Sequence, residues 1–193
     1  MNSARLPRIS AGMSESVIAA LYMRDTYRLA VVQRIPLLSP RVDTRSLPTH
    51  VDEEAGCREW NEFWSHVSAW DERSHAPPKH PLIDQSKYPT LAELSAPVQA
   101  EMLAYASLCK RKSSELGHER FHNHEMPELK VLANARPRLF RPRRDVSLAV
   151  TLLPVERQYV EALSSRHVLV SFRTYQDPHA YELALRQTLG WRK

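Results

Sequence analysis

Two apolar stretches near the C-terminus decide the fold class: VSLAVTLLP at residues 146–154 and HVLVSFRTY at residues 167–175. The first is apolar at nearly every position and ends at Pro154, which is typical of a strand buried on both faces. The second carries polar residues on one side, which indicates a half-exposed strand. We therefore predict strands over 146–153 and 167–175, with a helix over 155–164 between them. Two strands do not make a self-sufficient sheet, so we expect this one to pack on helices or to be completed by another chain.

Helical patterns account for much of the remaining chain. Asp177 can cap a final helix that has Pro178 at its first position. Upstream, apolar residues recur at helical spacing over about residues 15–34, 53–73 and 91–116. The sequence therefore predicts an α+β fold, mainly α, in which N-terminal helices are followed by a small β-α-β-α unit.

Composition excludes several classes of protein. The 193 residues include only 4 Gly and 14 Pro. The isolated glycines exclude a glycine-rich phosphate loop, and with it P-loop and dinucleotide-binding enzymes. They also disfavour two-residue hairpin turns and an all-β fold. No apolar run approaches the roughly 18 residues of a membrane span. Two cysteines make no disulfide framework, so we expect two reduced thiols in an intracellular protein.

Charge divides the chain into two predicted regions. The net charge is +5. Residues 1–128, a helical region with proline-rich linkers, carry 15 basic and 17 acidic side chains. Residues 129–193, a basic strap followed by the β-α-β-α unit, carry 12 basic and 5 acidic side chains. The C-terminal region is therefore the one expected to meet an anionic partner.

Arginines and two prolines alternate in the basic strap. Its candidate contact residues for an anion or RNA are Arg136, Arg138, Arg141, Arg143 and Arg144. The prolines predict an extended segment rather than a helix. RNA and an anionic lipid surface are the partners considered, and a solvated linker is the alternative.

The predicted second helix is rich in tryptophan. Trp60, Phe63 and Trp64 recur at helical spacing, and Trp70 extends the same patch. Tryptophan is typical of protein interfaces, so Trp60, Trp64 and Trp70 are predicted as interface residues. The alternative is that they form a face of the core.

The segment His118-Glu119-Arg120-Phe121-His122 matches the pattern H-E-x-x-H. On a helix the two histidines would lie one turn apart and could bind zinc, and Glu119 could act as the general base. A noncatalytic metal site formed by His118, His122 and His124 is a further possibility. A polar connecting segment is the third.

Two features of the sequence weigh against a zinc enzyme. Gly117 predicts that the helix stops just before the motif. Arg120 would place a cation beside the metal. A third ligand would have to come from Glu125, Glu128 or a later acid. We therefore predict no catalytic residue and no cofactor, with Glu119 and zinc as the alternative.

The function predicted from these observations is a noncatalytic structural or accessory subunit of a large assembly. Proline-rich connections, scarce glycines, an arginine strap and an incomplete sheet all favour a chain that is ordered by neighbours. A mitochondrial ribosome or a respiratory complex is the assembly expected, because the first 14 residues resemble a targeting segment in composition. The expected partners are other protein subunits, and RNA through the strap. A zinc-dependent hydrolase that uses the H-E-x-x-H motif is the alternative.

Overall fold

The computed structural model describes residues 8–31, 34–68, 83–123, 126–139 and 147–189. The elements, in chain order, are β1 (Arg8–Gly12), α1 (Glu15–Tyr27), α2 (Glu53–Ser68), α3 (Pro89–Ser95), a 3-10 turn (Ala96–Val98), α4 (Gln99–His122), α5 (Pro127–Leu139), β2 (Ser147–Leu153), β3 (Val160–Ser164), β4 (His167–Ser171), α6 (Phe172–Gln176) and α7 (Pro178–Thr188). The prediction of an α+β fold that is mainly α is confirmed.

The chain forms two compact units. The helical unit comprises Met13–Arg111 together with Pro154–Glu156. The sheet unit comprises Met1–Gly12, Lys112–Leu153 and Arg157–Lys193. The division falls within α4, between residues 111 and 112.

The sheet has four strands rather than the two that the sequence indicates. Their order is β1-β2-β4-β3, with β1 parallel to β2, β2 parallel to β4, and β3 antiparallel to β4. Strand β2 is buried at six of its seven positions, as its continuous apolar sequence predicts. Strand β1 is mostly exposed and lacks such an apolar pattern, which is why the sequence does not reveal it.

The predicted helix over 155–164 is wrong, because residues 160–164 form β3. This strand pairs with β4 across a turn at Ser165 and Arg166, with an irregular register between Ala162 and Ser164. Arg28 alone among the described non-glycine residues has a positive φ. The hairpin therefore forms without the left-handed turn that glycine would supply, since the irregularity accommodates the change of direction.

The second predicted strand is also shorter than expected. It ends at Ser171, and α6 follows from Phe172 to Gln176. The Ser171 hydroxyl accepts a hydrogen bond from the Thr174 backbone N–H and thereby caps α6. The final helix is confirmed, because the Asp177 side chain accepts hydrogen bonds from the backbone of His179 and Ala180.

Helix α1 ends earlier than the predicted residue 34. Ser14 caps its first turn. Arg28 follows the last helical residue with φ of 50°, and this left-handed conformation ends the helix after Tyr27. Every residue from Ser16 to Tyr27 is buried, so α1 is a core helix rather than an amphipathic one.

The predicted helix over 91–116 is interrupted, because Ala96–Val98 form a 3-10 turn around Pro97. The first turn of helix α3 is capped by a side chain of another helix. The Glu59 carboxylate of α2 accepts hydrogen bonds from the Leu91 backbone N–H at 3.0 Å and the Thr90 hydroxyl at 2.8 Å. Such a cap depends on tertiary packing and is invisible to a local sequence pattern.

Two further helix boundaries correct the sequence prediction. Helix α4 continues through Gly117 to His122, so the predicted stop before the H-E-x-x-H motif is wrong. Helix α5 includes Pro137 and extends to Leu139, so the start of the basic strap is helical rather than extended. A proline in the last turn removes only one backbone hydrogen bond near the end of the helix. Residues 69–73 of the predicted second helix lie outside the described residues.

Within the described ranges, no helix combines the length and the apolar character that crossing a membrane requires.

Candidate functional site

His118 and His122 lie one turn apart on the last two turns of α4, and both are exposed. Their Nε2 atoms are 2.8 Å apart, and the rings meet edge to face with centroids separated by 4.3 Å. One imidazole donates a hydrogen bond to the other, which fixes the two rings as a pair. Because α4 is continuous through the motif, the structure brings together both histidines that the sequence singles out.

The structure describes only some of the other predicted members of a metal site. Glu119 is exposed, while His124 and Glu125 lie outside the described residues. Among the described residues, no group of three or more His, Cys, Asp or Glu side chains could hold a metal ion. The described part of the site therefore offers two imidazole nitrogens from protein to a metal ion.

Arg120 is buried, with 7% of its surface exposed. Its guanidinium lies 4.2 Å from the ring centroid of Tyr175 and 4.7 Å from that of Tyr181. It also forms an ion pair with Glu128, whose Oε2 lies 3.3 Å from Nη2. Glu128, one of the predicted third ligands, is thus engaged by Arg120. Successive helix positions lie about 100° apart, which is why Arg120 enters the core of the sheet unit while the histidines stay outside.

This environment changes the pKa values of the two tyrosines. Burial raises the pKa of Tyr175 and of Tyr181 above the ordinary phenol value, and the Arg120 charge opposes that effect in part. Both phenols therefore remain neutral at physiological pH. The cluster formed by Arg120, Glu128, Tyr175 and Tyr181 is a packed joint between α4, α5, α6 and α7.

The tryptophan prediction is corrected by the structure. Trp60 is fully buried, and Trp64 is 3% exposed. Their rings stack at a centroid separation of 5.4 Å, and the Trp60 indole N–H donates to the Ala20 carbonyl at 2.6 Å. These two side chains hold α2 against α1 in the helical unit, so they belong to its core and not to a surface. Trp70 lies outside the described residues.

The exposed side of α4 carries an apolar stripe that the sequence reasoning missed. Leu103 and Leu108 are 42% and 40% exposed. The stripe, which we call the α4 face, consists of Ala100, Leu103, Ala104, Ser107 and Leu108. These positions recur at three- and four-residue intervals, the signal that could have found them. A second stripe on the same helix, which includes Met102 and Tyr105, supplies the buried side.

The predicted arginine contacts are only partly described. Arg136 and Arg138 lie on α5. Arg141, Arg143 and Arg144 lie outside the described residues. The RNA-contact prediction therefore stays a prediction.

An open pocket of about 530 Å³ lies in the helical unit, and Arg24, Arg28 and Arg41 contribute to its lining. Arg24 is buried and donates to the Asp25 carboxylate at 2.6 Å and to the carbonyls of Ile35 and Pro36. The guanidinium of Arg24 thus holds the segment after α1 in place. The part of the pocket wall that Arg24 forms therefore has a structural role.

Comparison of the chain with family models, with curated proteins and with solved structures finds no match to any of them.

Proposed function

We propose that the chain is a noncatalytic subunit of a larger macromolecular assembly and that it binds a partner protein through the α4 face. The observation that carries this proposal is the pair of exposed leucines, Leu103 and Leu108, on one side of a long helix. Between them, Ala104 and Ser107 are small enough to let a second helix approach closely. Burial of this stripe would remove two large apolar side chains from water.

Two basic residues follow the stripe on the same helix. Lys110 and Arg111 are both exposed, and Lys110 lies 3.8 Å from the Glu15 carboxylate. A partner helix with an apolar stripe of its own would complement the α4 face. Edge strands of the sheet offer a further means of association, since β1 and β3 stand at the two ends of the strand order.

Features of the sequence lead us to propose a cellular location and contact with RNA as well. The composition of the first 14 residues supports a mitochondrial location, and a mitochondrial ribosome or respiratory complex is the assembly proposed. The basic balance of residues 129–193, which includes Arg136 and Arg138 on α5, supports contact with RNA.

The test is the native size of the protein in a lysate, measured on a density gradient with and without ribonuclease. We expect migration far above the 22.3 kDa of the chain. A shift after ribonuclease would identify a ribonucleoprotein, and no shift would identify a protein complex. Migration of the wild-type chain as a monomer would contradict the proposal.

Two substitutions that introduce charge test whether the α4 face is the surface used. Leu103→Glu combined with Leu108→Glu should release the chain from the large particle, because two carboxylates cannot be buried in an apolar contact. The matched control is Leu183→Glu, which changes a leucine of α7 that is 48% exposed and lies outside the α4 face. Release by the control as well as by the double variant would remove the α4 face from the proposal.

A second candidate function is a zinc-dependent hydrolase, and the specific observation in its favour is the continuous helix that carries His118 and His122. Its test is zinc content together with peptide hydrolysis by the purified chain. Glu119→Gln should abolish hydrolysis and leave the fold intact, because Glu119 would be the general base. The engagement of Glu128 by Arg120 favours the assembly subunit over this second function.

A further inference from the structure

The separation of the two histidine nitrogens on α4 carries an inference that does not depend on the assembly function. The Nε2 atoms of His118 and His122 are 2.8 Å apart and belong to two exposed side chains. An ion that displaces the proton of this hydrogen bond and binds both imidazoles would hold the two nitrogens at an angle set by their separation and by the length of its bonds to nitrogen.

The angle distinguishes between classes of metal ion. With bonds of about 2.0 Å, two ligands at 90° have their nitrogens about 2.8 Å apart, whereas a tetrahedral zinc site separates them by about 3.3–3.4 Å. The observed 2.8 Å matches neighbouring positions of a square-planar or tetragonal ion. Such geometry is characteristic of Cu(II) and Ni(II) with nitrogen and oxygen ligands.

We propose that His118 and His122 form a two-imidazole binding site for a tetragonal divalent metal ion, with Cu(II) preferred over Ni(II) and Zn(II). The imidazole is a ligand that suits copper and nickel, and Cu(II) has the highest affinity in the series of divalent ions. Because both rings are exposed, water can fill the other equatorial positions.

Contacts on the buried side of the same helical turn support the backbone that carries the two ligands. Arg120 lies between the two histidines in sequence and is held by the rings of Tyr175 and Tyr181 and by Glu128. This anchor keeps the turn helical, so that both ligands stay on one face of α4. When the ion binds, the hydrogen bond between the two Nε2 atoms is broken and its proton moves to Nδ1 of the same ring or to water. The Arg120 cation lies on the buried side of α4, away from the two imidazoles.

The experiment is a titration of the untagged, full-length chain with cupric chloride, followed by calorimetry and by electron paramagnetic resonance. We expect one Cu(II) ion per chain with nitrogen couplings from two imidazoles. His118→Ala and His122→Ala should each weaken binding by about 10- to 100-fold, because each removes one arm of a chelate. The matched control is His179→Ala, which removes an exposed histidine of α7 and should leave affinity unchanged.

Two outcomes would overturn the proposal. One is an equal affinity for Cu(II) in the wild type and in the double variant His118→Ala/His122→Ala, provided that circular dichroism shows both proteins to be folded. The other is Zn(II) bound more tightly than Cu(II) by the same two histidines. The gradient experiment on the assembly is unaffected by either result, so a failure of this site and a failure of the assembly function are distinguishable.

Discussion

Removal of the charge at Arg120 is the perturbation that tests the packed joint of the sheet unit. The Arg120 side chain is 8% exposed, and the Glu128 side chain that it pairs with is 22% exposed. Arg120→Met keeps a long side chain that fills most of the space and removes the guanidinium. The variant therefore reports on the electrostatic contacts more than on lost volume.

The expected loss follows from the contacts. Each cation–π contact contributes about 0.5–1 kcal/mol at an exposed site and about 2 kcal/mol when desolvated. Glu128 would also keep its charge in a partly buried position with its partner gone, and removal of one member of a fully buried pair costs about 3–5 kcal/mol. Because Glu128 is partly exposed, we expect Arg120→Met to lower the free energy of unfolding by about 2–4 kcal/mol.

The measurement is urea denaturation followed by circular dichroism, arranged as a double-mutant cycle with Glu128→Gln. We expect a coupling energy of about 1 kcal/mol or more between the two positions. Arg173→Met, at an exposed arginine of α6, is the control and should lie within about 0.5 kcal/mol of the wild type. A loss at Arg120 as small as that of the control, or a coupling of zero, would refute the assignment of Arg120 to the core.

Three other expectations follow from buried groups. Asp25→Asn should lower the free energy of unfolding by about 3 kcal/mol in the same denaturation assay, because it leaves the Arg24 charge buried without its counter-ion; an unchanged midpoint would contradict this. Burial raises the pKa of Tyr105 well above the ordinary phenol value. The neutral Tyr105 phenol contributes its full stabilisation of the folded chain below pH about 10. This stabilisation is lost as the pH rises towards the raised pKa that Tyr105 has in the folded chain. An ultraviolet absorbance titration should show this phenol ionising only as the chain unfolds, and ionisation at the ordinary pH in the folded state would count against its burial. Burial also raises the pKa of the Cys57 thiol, so its alkylation at neutral pH, followed by mass spectrometry, should be slower in the folded chain than in urea; equal rates would argue for an exposed thiol.

The parts of the fold that the sequence predicts correctly are those set by local signals. The cap at Asp177 and the proline after it define the start of α7, and an uninterrupted apolar run defines β2. The errors arise where packing overrides local preference. Residues 160–164 look helical in isolation and become β3 because β4 offers an edge to pair with.

Long-range partners also explain the errors at helix boundaries. Glu59 of α2 caps α3 from 31 residues away, a separation that no local capping pattern spans. The buried Arg24–Asp25 pair fastens the segment after α1 through the Leu38 backbone N–H and the Ile35 carbonyl. A window of sequence shorter than these separations does not contain the groups that cap α3 and hold the segment after α1.

The H-E-x-x-H motif illustrates the same limit at the candidate site. The pattern specifies two histidines and a glutamate, and the structure places the two histidines within hydrogen-bond distance of each other. The residue that decides the geometry around them is Arg120, at a position that the pattern leaves open. Its direction depends on Tyr175 and Tyr181, which are more than 50 residues further along the chain. Because those rings and Glu128 hold Arg120 on the buried side, the outward face of the same turn carries the two hydrogen-bonded imidazoles. The metal binding that we propose at His118 and His122 therefore depends on a side chain that the H-E-x-x-H pattern does not specify.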